Sequence, residues 1–159
     1  MIDRKTTIHL ILLFSIFAIS VAYFIEYILG HQPCNLCLIE RIPYVVSIVI
    51  ILIFMFIQKF ERLFLIILSI TFILAFIISF YHFGIEQGFI QQSLACDLNS
   101  NNTELTKEAL LNQLKDVTVS CKDVTFKILG LSLATINIFI SLIIASITIK
   151  LFLTYEKNK

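Results

Sequence analysis

The sequence has no tryptophan, so any aromatic surface must be built from its 15 phenylalanines and five tyrosines. Charge is also scarce. Charged residues make up 14% of the 159 positions, against roughly 25% in an average soluble protein. The formal net charge is only +1, which leaves no basic field to meet phosphates and gives no support for nucleic-acid binding. The chain contains no GxGxxG, no P-loop and no HExxH, so the common nucleotide and zincin fingerprints are absent. It also has no haem-attachment Cys-x-x-Cys-His and no iron–sulfur spacing.

What is present in excess is apolar. Hydrophobic residues reach 58%, more than a soluble domain of this length can hide, since small domains bury only about 70% of what the unfolded chain exposes. Apolar runs cover about 8–29, 38–57, 63–83 and 128–149. The second is clean only over about 16 residues, Ile42 to Ile57, and Leu36–Ile39 extends it toward the headgroups. Lipid leaves helices or closed barrels as spanning structures, and runs this continuous do not read as alternating barrel strands. The expected fold is therefore all-α, a four-transmembrane-helix bundle in a single membrane domain over 1–159. The start at Arg4-Lys5 suits a signal peptide, but an apolar stretch of about 22 residues without an A-x-A site favours a retained span.

Basic residues set the orientation. With both termini on one side, that side carries Arg4, Lys5, Lys59, Arg62, Lys150, Lys157 and Lys159, seven in about 22 loop positions. The other side carries Arg41, Lys107, Lys115, Lys122 and Lys127, five in about 59. The denser side is expected to be cytoplasmic, which sends the loops at about 30–41 and 84–127 outward. Within the second outer loop, Leu110, Leu114 and Val117 share one helical face opposite charged residues. A short amphipathic helix over Glu104–Val117 is expected there, on the membrane surface or as a plain loop helix.

All four cysteines fall in these two outward loops: Cys34 and Cys37 in the first, Cys96 and Cys121 in the second. Disulfides persist on the oxidising side of a membrane. One tetrahedral zinc site is the competing reading of four cysteines. Structural zinc sites favour two short-spaced pairs, whereas 24 residues separate Cys96 from Cys121; that spacing suits a disulfide-closed loop better, and no resident metal is expected. Inert structural disulfides are the third reading. The two pairs differ in kind. Cys96 and Cys121 belong to a long polar loop that a soluble partner can reach. Cys34 and Cys37 sit at the outer end of the second span, where helix N–H groups favour a thiolate and where a lipid-soluble molecule has access. Thiolate–disulfide exchange can therefore carry electrons from a soluble dithiol to the membrane face. A quinone is the acceptor most consistent with the missing cofactor motifs.

Several polar residues near that face are candidates. Arg41 follows Cys37 by four residues, so a continuous helix places both on one face, either to hold a Cys37 thiolate or to snorkel to headgroups. Glu40 is either paired or solvated. His82 and Glu86, also four apart, are either a proton relay or ordinary interfacial residues. Glu26 is more readily a structural partner, and Asn137, His9 and His31 read as structural. Tyr23, Tyr27, Tyr44 and Tyr81 form an expected interfacial belt, with Tyr44 and Tyr81 candidates for quinone contact. Pro43 either opens the second span or kinks it.

The stretch Pro33-Cys34-Asn35-Leu36-Cys37, followed by Glu40-Arg41 and Pro43-Tyr44, resembles the P-C-x-L-C…R-x-P motif of the DsbB family of the bacterial inner membrane. Tyr81-His82-x-Gly84-x-Glu86 before Cys96, then Cys121 and a final span opening with Leu129-Gly130-Leu131-Ser132, resembles the same family in order. The resemblance implies a quinone-dependent protein-thiol oxidoreductase. Cys96 would form the mixed disulfide with a reduced DsbA-like periplasmic oxidase, with Cys121 as its loop partner. Cys34 would exchange with the loop cysteines, and Cys37 would pass electrons to ubiquinone or menaquinone beside Arg41. Leu94-Ala95 stands where many members carry a proline before the third cysteine. Two other classes compete: a membrane oxidoreductase of the vitamin K epoxide reductase type, which usually places its Cys-x-x-Cys late in the chain, and a non-enzymatic four-span scaffold with a stapled loop.

Overall fold

The computed structural model describes residues 4–57, 60–91, 121, 127–128 and 130–157. Cys96 and the expected amphipathic helix at 104–117 lie outside the described residues. Five helices are present among those described: α1 (Arg4–Tyr27), α2 (Asn35–Ile39), α3 (Ile42–Phe56), α4 (Glu61–Glu86) and α5 (Leu133–Lys157). Four segments, Arg4–Tyr27, Asn35–Phe56, Glu61–Glu86 and Leu133–Thr154, are long and apolar enough to cross a membrane. Together α2 and α3 make the second of them.

The outer surface explains the apolar excess. Phe17, Phe56, Ile77, Phe80, Phe139 and Leu153 are all more than half exposed, an arrangement that lipid tolerates and water does not. The centre holds Ile11, Ile51, Leu65, Leu68, Phe72 and Ile144 with Tyr44. Between the helices sit small polar residues. Ser15 of α1 and Ser47 of α3 are fully buried and bond each other at 3.0 Å. Each hydroxyl also lies 2.8 Å from a backbone carbonyl of its own helix, Ile11 and Tyr44 respectively; one of the two donates across the contact and the other to its carbonyl. Small residues let helix backbones approach where no hydrophobic force separates protein from lipid. The most extensive helix pairing is α4 against α5, while α3 touches α1 and α4.

Two local devices shape the end that carries Cys34. Helix α4 stops at Gln87, and Gly88 takes φ +75°. The amide of Phe89 then bonds the Gly84 carbonyl at 2.9 Å and that of Gly88 the Ile85 carbonyl at 3.0 Å. This is the Schellman pattern, which needs a left-handed residue that glycine supplies without strain. Before α5, the first residues of the fourth apolar run are not helical. Lys127–Ile128 (β1) and Leu131–Ser132 (β2) pair antiparallel around Gly130 at φ +84°. Periodicity gave no sign of this two-residue pair, because it comes from a turn inside an otherwise apolar run. The Ser132 hydroxyl then accepts from the Thr135 amide at 3.2 Å, opening α5.

Replacing Ser47 with leucine should overpack the α1–α3 contact and lower stability by about 1–3 kcal/mol. Circular-dichroism melts in detergent should show a lower midpoint for Ser47→Leu. Ser20→Leu, on an exposed face, should melt like the parent.

Candidate functional site

The second span is broken where its chemistry lies. Cys34 caps α2, and its sulfur accepts from the Cys37 amide at 3.3 Å. The helix stops at Glu40, restarts at Arg41, and carries Pro43 in the first turn of α3. Proline is tolerated there because its missing N–H has no intrahelical partner to lose. The break separates the neighbours Glu40 and Arg41. Glu40 is buried inward. Its Oε1 meets His82 Nδ1 of α4 at 2.8 Å, and its Oε2 accepts from Asn137 Nδ2 of α5 at 2.9 Å. Arg41 instead pairs with Glu26 of α1 at 2.6 Å and lies over the Tyr23 ring at 5.2 Å. Its guanidinium is thus held by α1, a partner that the i, i+4 relation to Cys37 did not suggest.

Three helices meet at Asn137. Besides Glu40, its amide nitrogen donates to Ser79 Oγ at 2.7 Å. Its carbonyl oxygen accepts from the Tyr44 hydroxyl and, at 3.5 Å, from Ser141. Tyr44 is buried, edge-on to Phe72. Sequence reading treated Asn137 as structural and left Glu40 undecided. The available signal was an amide inside an apolar run, which lipid makes costly unless it is bonded.

The thiols sit at the end of this network. Among the described residues, Cys34 and Cys37 are free, while Cys121 is disulfide-bonded. Cys34 Sγ lies 3.6 Å from His82 Nε2. Cys34, Leu36, Ile85 and Cys121 form one buried cluster, with Cys37, Ile39 and Tyr81 packed against it. The Cys34 thiol is pulled down from the ordinary 9.0 to about 4. A hydrogen bond from the Cys37 thiol is the largest cause; burial opposes it, and His82 adds a hydrogen bond and charge. At neutral pH Cys34 is therefore a thiolate, the nucleophilic form. Glu86 Oε1 approaches His82 Nε2 at 3.8 Å.

A cavity of about 320 Å³ opens beside the thiols. Phe14, Phe17 and Val21 of α1 and Ile136 and Ile140 of α5 line its apolar part. Cys34, Cys37, Arg41, Tyr44, His82, Glu86 and Cys121 are among the residues that line the rest, with the carboxylates of Glu26 and Glu40 beside them. Seven of the eight residues singled out by sequence are thus described at one place, and Tyr81 packs just beside it; Cys96 is outside the described residues.

Four spans with a free dithiol beside a disulfide-bonded cysteine define a multi-pass membrane protein built for thiol chemistry. The family model of disulfide bond formation protein DsbB matches residues 4–151, and the chain belongs to this family of membrane proteins. It is also similar to a protein of Rickettsia prowazekii (strain Madrid E) described as uncharacterized protein RP370, with 33% identity over 162 residues. That match covers 98% of this chain and 92% of the relative. No solved structure matches the chain.

Because Cys34 is charged above about 4, its thiolate absorbance should be constant through neutral pH and fall only on strong acidification. Cys37→Ala, which removes the largest stabilising contact, should move that titration up toward an ordinary thiol. A parent chain that titrates like a free thiol would contradict the assignment. Asn137→Leu should cost about 1–3 kcal/mol, because it strips partners from buried polar groups; detergent melts would read it.

Proposed function

We propose that this chain oxidises a DsbA-type dithiol protein and passes the electron pair through its two cysteine pairs to a membrane quinone. The observation that carries the reading is the juxtaposition of free Cys34 and Cys37 with disulfide-bonded Cys121 in one buried cluster against one cavity. Thiol–disulfide exchange needs sulfurs that can meet, and a thiolate to attack.

The partner's thiolate attacks the loop disulfide at Cys96, giving a mixed disulfide and freeing Cys121. The partner's second thiol resolves it and leaves oxidised. A Cys34–Cys37 disulfide next reoxidises the loop pair, and Cys34 is released as the thiolate that its surroundings favour. Cys37, on the cavity wall, then passes the electron pair onward while Cys34 re-forms the bond with it. The cavity suits a quinone, with apolar walls, polar groups that include Arg41 and Tyr44, and a volume of about 320 Å³, within the roughly 300–1,000 Å³ of small-molecule sites. Such a molecule supplies a two-electron, two-proton acceptor. Arg41, already paired with Glu26, offers its guanidinium N–H donors where negative charge develops. His82, between Glu40 and Cys34, holds a proton at the thiol end of the cavity.

The Cys-bearing end is assigned to the periplasm and both termini to the cytoplasm, in a bacterial inner membrane, on the distribution of Lys and Arg. The scaffold reading gives Cys34 and Cys37 no role, since a bond between residues three apart closes too small a loop to add much stability.

The protein in detergent, given excess reduced DsbA-type partner and a soluble quinone, should consume the quinone. Quinone loss should require both Cys37 and Cys96. Loss that persists in Cys37→Ser, or no loss with all four thiols accounted for, would overturn the proposal.

A further inference from the structure

His82 uses its two ring nitrogens in different directions. Nδ1 faces the Glu40 carboxylate at 2.8 Å, and Nε2 faces Cys34 Sγ at 3.6 Å. Cys37 completes a set of three: the two sulfurs and a His82 ring nitrogen all lie within 4.8 Å of one another. In a tetrahedral zinc site, with Zn–S about 2.3 Å and Zn–N about 2.0–2.1 Å, a sulfur and a nitrogen ligand stand about 3.5–3.6 Å apart. The Cys34–His82 separation already has that value. A carboxylate behind the metal-facing imidazole is the usual outer partner of a zinc histidine, fixing its ring and tautomer.

A separate feature points to the same place. The Glu86 side chain is 6% exposed, and its Oε2 has no hydrogen-bond partner among the described residues. Its other oxygen lies 3.8 Å from His82 Nε2. A buried carboxylate oxygen without a partner is costly, and a cation at the thiol pair would supply one. Glu86 stands outside the 4.8 Å set, so a bond from it requires a change of rotamer; otherwise the fourth position belongs to water.

We propose that the reduced Cys34–Cys37 pair forms, with His82 Nε2, a reversible binding site for a soft divalent cation such as Zn2+, with Glu40 as the orienting carboxylate and Glu86 at the fourth position. The site is gated by redox state. The dithiol offers two sulfurs; the disulfide offers none, so oxidation ejects the ion. Binding moves no electrons. It forms two metal–sulfur bonds and one metal–nitrogen bond, and releases to solvent any protons held by those three atoms. This differs from a resident zinc on four cysteines, which the spacing disfavours; here one pair suffices because α4 contributes the histidine. The inference does not depend on the electron-transfer reading, since it concerns only the reduced pair.

Linkage gives a magnitude. Zn2+ at 100 times its dissociation constant favours the reduced pair by about 100-fold. For a two-electron couple this raises the Cys34–Cys37 potential by about 59 mV.

The test uses the full chain in detergent, with the loop disulfide intact and two free thiols confirmed by counting. Co2+ serves as the spectroscopic probe and Zn2+ as its competitor. One Co2+ per chain is expected, with thiolate charge-transfer and tetrahedral ligand-field bands. Zn2+ should displace it, a chelator should reverse it, and oxidation of the pair in the same sample should abolish it. Glu40→Gln should weaken binding about 10–100-fold, and His82→Ala should lose the tetrahedral spectrum. Octahedral Co2+, signal that survives oxidation, or an unchanged spectrum in His82→Ala would overturn the site. So would absence of any charge-transfer band with the two thiols shown to be free. The oxidation arm needs no variant to fold, and none of the readouts involves quinone.

Discussion

The buried contact between Glu40 and His82 is the constraint on which the rest of this end of the molecule depends. It joins the corner of the second span to α4, deep enough that neither side chain is more than about a tenth exposed. Removing ionisable groups from water is expensive, and the arrangement persists only where each polar atom finds a partner. Asn137 supplies one for Glu40 from α5, and Cys34 supplies one for His82. Three helices are thereby fixed around a thiol. The same contact sets which nitrogen of His82 faces sulfur, and so links the bundle's packing to the chemistry of its cysteines.

That contact lies where the second span is discontinuous, at the junction of α2 and α3. In an unbroken helix, Glu40 and Arg41 would leave the axis about 100° apart. With helical dihedrals at both residues of the junction, Glu40 reaches α4 and α5 while Arg41 reaches Glu26 and Tyr23 on α1. Adjacent residues of opposite charge thus pair with other helices instead of with each other. Pro43 sits just past the break, where it weakens no hydrogen bond. The short apolar run from Ile42 is the sequence trace of this break, because the preceding turn carries the polar residues that the site uses.

Much of this was legible, and the limits have physical causes. Composition and run length showed four spans, since lipid permits few alternatives. Cysteine spacing and the Tyr81–Glu86 stretch singled out eight residues, and the fold brings seven of them to one cavity. Their partners were less legible. Asn137 lies 97 positions from Glu40, and no periodicity encodes which helix an amide will face. Glu26 read as a structural residue, yet its partner Arg41 read as a partner for sulfur; the i, i+4 rule presumed a helix that stops before it. The pairing of β1 with β2 was hidden because hydropathy does not register a turn made by one glycine in an apolar run.

Under the proposed function, the dithiol has to meet two opposed demands. A thiolate is stable only near donors and positive charge, which the bilayer interior does not offer. A lipid-soluble molecule reaches only surfaces that open to the bilayer. The capped start of α2 satisfies the first demand, with the Cys37 amide at 3.3 Å and His82 at 3.6 Å from Cys34. The apolar wall from α1 and α5 satisfies the second. Cys34 is buried among the groups that hold its charge, whereas Cys37 is partly exposed, and both line the same cavity. Separating the charged sulfur from the more exposed one by a single helical turn makes the pair asymmetric, with Cys34 the better leaving thiolate whenever a bond between the two is opened.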